Sequence, residues 1–440
     1  MNKNSHLHSA GQHEDAPEPA GNAGQDAAMD PREHVPLVAP DLLARGMAVL
    51  RQIGGKDFDG PVKRLAQVSP DMADFTVAYP YGDILLRPGL DLRTRQVCTV
   101  SCLIAQGSAQ SQLRFHMDGL LNVGGRPEDL VDIMFLSTAM LGFPAAINAI
   151  GIVRQVLSGR PVAFTPSPPA DGDGTDRWQR GANTVHDLMG MDADTYVASF
   201  AHVSAELARW SLEFTFGDVL SRGGLEPKVK HLAIATMLAT AGNRADLLRA
   251  HLLGALHCGA APGEVAEALI QLSVYAGFPA ALNAFSVAGE VLPTWSGQPG
   301  TTPHAPRSLP PSEGRAERRE RGLAALAATS GASGEAVVGS FDDIAPDIGR
   351  MIVEHSYGDL FARTGLDPKT RELTACAALA ARGTVTAETP LRVHVNAALN
   401  VGASRAEVLE TLLNVIAYAG YPAVQRAVAL AGEEFTKRGL

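Results

Sequence analysis

Three histidines at matching places are the residues of this chain best suited to proton chemistry. His116, His251 and His394 each close a Leu-Arg-x-His pattern. An imidazole titrates near neutral pH, so it can give or take a proton during a reaction. A lone histidine on an apolar helix is more often an ordinary core residue, but this one recurs three times. We therefore expect a catalytic role for His116 and His394, and we rank His251 below them.

A second position, upstream of each histidine, differs between the three segments. It holds Gln96 in the first, His231 in the second and Glu372 in the third. Only the third is a carboxylate, a group that can take part in acid–base catalysis. Glu372 is therefore a candidate catalytic residue together with His394.

Basic residues recur around these histidines. Each segment has three such positions, which are Arg87, Arg95 and Arg114, then Arg222, Lys230 and Arg249, then Arg363, Arg371 and Arg392. The first of each set follows the aspartate of a Gly-Asp pair by four residues. On one helix face such a pair can form an ion pair worth about 0.2–0.5 kcal/mol. The alternative is that these arginines bind an anionic ligand.

The histidines and arginines belong to three copies of one long pattern. The copies open with YGDILLRPGLDLRTRQ from Tyr81, FGDVLSRGGLEPKVKH from Phe216 and YGDLFARTGLDPKTRE from Tyr357. Matched residues lie 135 positions apart between copies one and two, and 141 to 143 apart between copies two and three. A period this long predicts three tandem domains rather than a solenoid of short units.

Composition places the boundaries between these copies. Residues 158–176 and 293–314 are rich in Pro, Gly, Ser and Thr and are interpreted as linkers. Residues 1–38 are polar and are expected to be disordered. The three domains are then predicted at 39–157 (copy one), 177–292 (copy two) and 315–440 (copy three).

Within each domain the pattern is typical of helices. In copy three Asp367 and Pro368 supply an N-cap and a first helical residue, and Gly383 ends the helix. Ser404 and Glu407 have the spacing of a capping box. The Gly-Phe/Tyr-Pro segments near the end of each copy are interpreted as corners between helices, whose aromatic residue could also wall an apolar pocket. No alternating strand pattern is found, so the fold class is predicted to be all-α.

The overall composition excludes several classes of protein. The formal net charge is −10 with no long basic run, so nucleic acid is not expected as a partner. No apolar stretch approaches the ~20 residues of a membrane span. The N-terminus lacks the apolar core of a signal peptide, so a cytoplasmic location is predicted.

Four cysteines occur, at Cys98, Cys102, Cys258 and Cys376. Cys98 and Cys102 share a helix face inside an apolar run, which favours buried core residues over a redox pair. No metal site is predicted, because a structural zinc site needs more ligands nearby than this segment offers.

These segments resemble the carboxymuconolactone decarboxylase family. The resemblance rests on the approach segment RGMAVLRQI from Arg45, the R-P-G-L-D-x-x-T-R block, L-R-x-H and Y-A-G-F-P-A-A-x-N-A, and it covers all three domains. It implies small all-helical subunits that assemble as hexamers built from trimers. Three fused copies are then expected to form an internal pseudo-trimer, and a homodimer of chains to restore a pseudo-hexamer.

The family resemblance implies one of two chemistries. Alkylhydroperoxidase-like members carry Cys-x-x-Cys with a histidine four positions later. The corresponding positions here are Ala109 and Gln112, Arg244 and Leu247, and Ala387 and Pro390. Without a thiolate at these places, peroxide reduction by that route is disfavoured. The other chemistry is a cofactor-free decarboxylation of a carboxy-lactone, or a related lactone isomerisation or cyclisation.

The decarboxylase resemblance assigns roles to the recurring side chains. Loss of carbon dioxide leaves electrons that flow toward the lactone carbonyl, so a catalyst needs cations there and a proton donor for carbon. Substrate binding is accordingly expected of Arg87, Arg95, Arg114, Arg363, Arg371 and Arg392, with Arg222 ranked lower. The expected partner is a small carboxylated molecule, a lactone or an aromatic-derived acid, and no cofactor is expected.

Departures from the single-domain decarboxylases predict a changed substrate. Those enzymes look to carry Trp near the Gly-Asp segment, at the places filled here by Pro80 and Leu86. Copy two departs further, with Gly223 in place of Pro88 and Lys230 in place of an arginine, so it is expected to be largely structural. Two rival interpretations remain open at this point, a peroxidase-like redox protein and a non-catalytic scaffold or binding module.

Overall fold

The computed structural model describes residues 38–160, 176–295, 314–342, 345–363, 366–384 and 387–440. These residues form helices and the turns between them, without a strand among them, so the prediction of an all-α fold is confirmed. All but the last residue of the predicted disordered segment 1–38, and most of both predicted linkers, lie outside the described residues. The predicted domain boundaries stay predictions. No helix within the described ranges is long and apolar enough to cross a membrane.

Each copy runs through a similar series of helices. Copy one contains α1 Pro40–Gly54, a 3₁₀ turn Gly55–Asp57, α2 Gly60–Val68, α3 Pro70–Val77, a π-helical segment Ala78–Leu85, α4 Leu92–Gln106, α5 Gln110–Asn122, α6 Pro127–Leu141 and α7 Phe143–Ser158. Copy two contains α8 Arg177–Met189, α9 Ala193–Ala201, α10 Ala205–Trp210, a π-helical segment Ser211–Leu220, α11 Pro227–Ala241, α12 Ala245–His257, α13 Pro262–Ile270, α14 Leu272–Tyr275 and α15 Phe278–Val291. Copy three contains α16 Arg315–Thr329, α17 Gly331–Gly339, α18 Pro346–Met351, a π-helical segment Ile352–Phe361, α19 Pro368–Arg382, α20 Glu388–Asn400, α21 Arg405–Asn414, α22 Ile416–Ala419 and α23 Tyr421–Lys437.

The helix ends follow the predicted capping residues. The Asp367 side chain accepts from the backbone N–H of Thr370, and Gly383 closes α19 in the left-handed region. Ser404 and Glu407 form the reciprocal capping box at the start of α21. The helix that begins at this box ends before Val415, and the short α22 follows it.

The Gly-Asp pairs lie in π-helical segments that the sequence pattern did not predict. Glycine is needed there because another helix crosses at very close range. A Cβ at Gly82 would lie 2.9 Å from the carbonyl oxygen of Leu42, and one at Gly46 would lie 2.5 Å from that of Val77. The recurrence of Arg-Gly and Gly-Asp in all three copies thus reflects close contact between the first helix and the π-helical segment. π-helical insertions of this kind are frequent at functional sites.

Copies one and two face each other across reciprocal contacts. Helix α4 packs on α11, its counterpart in copy two. Glu267 of copy two accepts from Arg87 and Arg95 of copy one. Asp132 of copy one is the counterpart of Glu267, and it accepts a hydrogen bond from the backbone N–H of Leu225 of copy two at 2.7 Å. An interface in which both partners present the same patch has two-fold symmetry.

Copies one and three also meet through reciprocal contacts, on a different surface of copy one. Arg87 contacts Asp347 at 2.5 Å, and Arg363 contacts Asp71 at 2.6 Å. Arg87 and Arg363 are counterparts, as are Asp71 and Asp347, so the same ion pair is made twice in opposite directions. This second interface is therefore two-fold as well.

Copies two and three meet through unlike surfaces. Helix α15 of copy two faces the π-helical segment, α17, α19 and α20 of copy three across a shared cavity. In an internal trimer, the same contact between two different surfaces would join each of the three pairs of copies. Here two of the three pairs are joined by reciprocal contacts instead. The predicted internal pseudo-trimer is therefore not confirmed. Copy one contacts both copy two and copy three, and each of these two pairs is related by its own approximate two-fold axis.

Candidate functional site

The candidate site is a cavity of about 650 Å³ between copy two and copy three. One wall is α15, which contributes Phe278, Leu282 and Ser286. The π-helical segment, α17, α19 and α20 of copy three form the rest, and His394 lies among their lining residues. This volume is within the range of sites that bury small-molecule ligands, roughly 300–1,000 Å³.

Glu372 and His394 meet at the wall of this cavity. The Nδ1 atom of His394 lies 2.6 Å from Oε2 of Glu372. The Glu372 side chain is fully buried, while 21% of the His394 side chain is exposed. With Nδ1 engaged by the carboxylate, Nε2 is the ring nitrogen left for a ligand in the cavity. The structure thus brings together the two catalytic candidates of copy three.

Copy one holds the same pair of positions in a sealed interior. Nδ1 of His116 lies 2.8 Å from Oε1 of Gln96. The rings of Phe115 and of Tyr275 from copy two pack edge-on against the imidazole, both with centroids 5.2 Å away. Burial lowers the pKa of His116 to about 3. Burial therefore favours the neutral form of His116 at neutral pH, and this does not favour His116 as a proton donor.

Copy two pairs two histidines at these positions. Nδ1 of His231 lies 2.9 Å from Nδ1 of His251, and both residues are buried. Burial lowers the pKa of His251 to about 4, and burial together with the neighbouring His251 lowers that of His231. One imidazole must accept a hydrogen bond from the other, so the two histidines satisfy each other within the core.

The second basic residue of each copy binds the backbone. Arg95 donates to the carbonyl oxygens of Arg87 and Leu90, and Arg371 donates to those of Arg363 and Leu366. Lys230 likewise donates to carbonyl oxygens, those of Leu220 and Arg222. These contacts close the loop between the π-helical segment and the next helix. The recurrence of this basic position is explained by a structural contact.

The first arginine of each copy joins neighbouring copies. Arg87 is buried between Glu267 of copy two and Asp347 of copy three, and Arg363 contacts Asp71 of copy one. The expected pairing of Asp359 with Arg363, four residues on, is replaced by a contact of Asp359 with Arg318 at 2.6 Å. In copy two the guanidinium of Arg222 lies 4.0 Å from the ring centroid of Phe135.

The arginine of Leu-Arg-x-His points away from the cavity. Arg392 contacts Glu433 and Glu434 on α23, and Arg114 is exposed on α5. None of the six arginines predicted to bind substrate is among the described residues that line the cavity. The assignment of substrate binding to arginines therefore gains no support from the geometry.

The cysteines are free, and three of the four are buried. Burial raises the pKa of Cys98, Cys102 and Cys376 to about 12. These thiols are therefore not thiolates at neutral pH and have the character of core residues. Among the described residues there is no group of three or more His, Cys, Asp or Glu side chains that could hold a metal ion.

Sequence reasoning missed the half of the site that comes from another copy. It considered the aromatic of the Gly-Phe-Pro corner as a pocket wall, and Phe278 does line the cavity. Asn283, on the same helix, lines the cavity too. The pattern could not show which copy these residues face, because Phe143 and Tyr421, at the same places, are exposed.

Comparison with known proteins gives three matches to one family model within this chain. The model describes the carboxymuconolactone decarboxylase family and matches residues 70–155, 205–290 and 346–433. A 15.0 kDa uncharacterized protein of Paracoccus denitrificans is 36% identical over 92 residues, which cover 21% of this chain and 68% of that protein. The 4-carboxymuconolactone decarboxylase of Acinetobacter baylyi is 34% identical over 101 residues, which cover 23% of this chain and 73% of that protein.

Proposed function

Because the chain belongs to the carboxymuconolactone decarboxylase family, we propose that it is an enzyme of proton transfer and decarboxylation whose working site is in copy three. The observation that carries this proposal is the contact of His394 with Glu372 at the wall of a cavity large enough for a ligand. The substrate is a carboxylated ring compound, and the reaction is loss of carbon dioxide or a related isomerisation of a lactone. The similar Acinetobacter protein, named as a decarboxylase, supports this class of reaction.

Each side chain has a defined part in the proposed reaction. The bond between the ring and its carboxyl carbon breaks, carbon dioxide leaves, and the electron pair is delocalised toward the lactone carbonyl. His394 then delivers a proton from Nε2 to a ring carbon of the substrate. Glu372 orients the imidazole of His394 through its contact with Nδ1. It also offsets the positive charge of the imidazole when this is protonated, as a buried carboxylate does for other catalytic histidines. The apolar wall leaves the departing carboxylate poorly solvated, which favours its loss.

The rival functions have less support. The scaffold interpretation requires the recurring histidines to face a sealed core, which describes His116 and His251 but not His394. The redox interpretation requires an accessible thiolate, and the pKa of the buried cysteines is raised by burial. The cytoplasmic location expected from the sequence stays a prediction.

The experiment is turnover of 4-carboxymuconolactone by purified protein in D₂O without added cofactor, followed by absorbance and by NMR of the product. We expect loss of carbon dioxide and one deuterium on the product carbon. The rate should be the same after dialysis against a chelator. Folded protein that releases no carbon dioxide from this lactone or from larger carboxylated rings would refute the proposal.

The partner proposed for the whole chain is a second copy of itself. Helix α7 exposes Phe143, Ile147 and Ile150, whose side chains are 62%, 62% and 47% accessible. Their counterparts in α15 close the cavity of copy three, where Phe285, the counterpart of Ile150, is only 1% accessible. A second chain would cover α7 in the way that copy three covers α15, and the homodimer would then contain six copies.

A further inference from the structure

The cavity beside His394 carries almost no charge. Of the described residues that line it, none is Asp, Glu, Lys or Arg. Glu372 lies behind His394 and is fully buried. Besides the His394 imidazole, the polar side chains on the wall carry neutral amides and hydroxyls, those of Asn283, Ser286, Ser340, Ser356, Tyr357 and Thr389. A ligand with several ionised groups would lose its hydration here without gaining an opposite charge.

Aromatic rings make up much of the remaining wall. Phe278 and Phe285 come from copy two, and Phe341, Tyr357 and Phe361 come from copy three. The ring centroid of Phe361 lies 6.0 Å from that of His394. Aromatic walls favour flat ligands that can stack or pack edge-on. His394 therefore borders an aromatic, apolar space.

The size of the space also selects its ligand. A volume of about 650 Å³ is typical of sites that bury drug-sized molecules. A single five-membered lactone would fill only part of it and would leave much of the aromatic wall without contacts. Binding energy from apolar contact far from the reacting atoms can compensate for the cost of desolvating one reacting group.

From these observations we infer that the natural ligand is a largely apolar molecule of two or more fused or linked rings, with a single ionisable group placed at His394. This inference rests on the proposed function for the position of the reacting group. It narrows the proposed substrate class from a carboxylated ring compound in general to a polycyclic one.

The test is binding, measured by calorimetry at pH 7.5 with three probes, benzoate, 2-naphthoate and naphthalene-2,6-dicarboxylate. We expect 2-naphthoate to bind at least tenfold more tightly than benzoate, because the second ring contacts the aromatic wall, and at least tenfold more tightly than the dicarboxylate, because the wall offers no cation to a second carboxylate. Ser286→Arg should raise the affinity for the dicarboxylate at least tenfold. Ser286→Leu, which adds bulk without charge, should not.

Equal affinities for benzoate and 2-naphthoate would overturn the inference, as would tighter binding of the dicarboxylate than of 2-naphthoate to the unmodified chain. Absence of binding by all three probes, with the helical circular dichroism intact, would overturn it too. Because binding is measured without turnover, these results are separate from those of the lactone assay, which tests the proposed proton transfer.

Discussion

The Nδ1 atom of His394 lies 2.6 Å from Oε2 of Glu372, at the wall of a cavity that a helix of another copy closes. The same two positions are in contact in copies one and two, but there they hold Gln96 with His116 and His231 with His251. Only copy three combines a buried carboxylate, an imidazole and open space. The three copies therefore share a fold and a hydrogen bond but differ in what that hydrogen bond can do.

Glu372→Gln should lower kcat by about 100-fold or more, because the amide cannot offset the charge of the imidazolium; positioned acid–base groups contribute about 10²–10⁴-fold. The variant reproduces the pair found in copy one. Gln96→Glu is the matched control and should leave kcat within twofold. Since Glu372 is a positioning residue, the pH profile of kcat should also shift in Glu372→Gln. An unchanged pH profile in a folded, slower variant would point to a structural effect alone.

Acidification should destabilise the protein through His116 and His251. Burial lowers their folded pKa values to about 3 and about 4, whereas the unfolded chain has a value near 6.5. Below pH ~6.5 the unfolded state binds more protons, so the free energy of unfolding falls as pH falls toward the folded values. Between pH 7 and pH 5 the expected loss is about 2 kcal/mol for each histidine. Urea unfolding at both pH values measures it.

The control for this pH dependence is His116→Gln. Its free energy of unfolding should be lower at pH 7, but it should fall by about 2 kcal/mol less than that of the unmodified chain on going to pH 5. A variant with the same pH dependence as the unmodified chain would show that His116 does not titrate as described.

Arg87→Met should be strongly destabilising, because it removes the buried cation that bridges Glu267 and Asp347, whose other ion pairs are with Arg95 and Arg350. Removing one member of a buried ion pair costs about 3–5 kcal/mol. Arg363→Met is the matched control at the equivalent position. Its contact with Asp71 is partly exposed, and such pairs are worth about 0–1 kcal/mol. Equal losses in the two variants, measured by urea unfolding, would contradict the proposed joining role of Arg87.

Ile147→Glu should convert the proposed homodimer to a monomer, because it places a charge on the exposed apolar face of α7. Light scattering coupled to size-exclusion chromatography measures the mass. Val68→Glu is the control, since Val68 is an exposed apolar residue on α2 and should leave the mass at twice that of the chain. An unmodified chain that elutes as a monomer would refute the homodimer.

The helices and their ends could be predicted because they depend on nearby residues. Asp367, Gly383 and the Ser404–Glu407 box act within a single turn of helix, so the sequence alone indicates them. Glu372 could be singled out because the repeats allow an internal comparison, and it is the one carboxylate at its position.

The arginine contacts could not be predicted, because their partners are far away along the chain. Arg87 finds Glu267 and Asp347, residues 180 and 260 positions later, while spacing alone suggests only a neighbour four residues away. The cavity was missed for a similar reason. It depends on which copy α15 contacts, and Phe143, Phe278 and Tyr421 look equivalent in sequence although only Phe278 lines the cavity.

The most direct test of the central claim compares His394→Gln with His116→Gln in the same decarboxylation assay. We predict that His394→Gln lowers kcat/KM at least 100-fold and that His116→Gln stays within twofold of the unmodified chain, once both are shown to be folded. Loss of activity in His116→Gln with activity retained in His394→Gln would contradict the assignment of the working site to copy three.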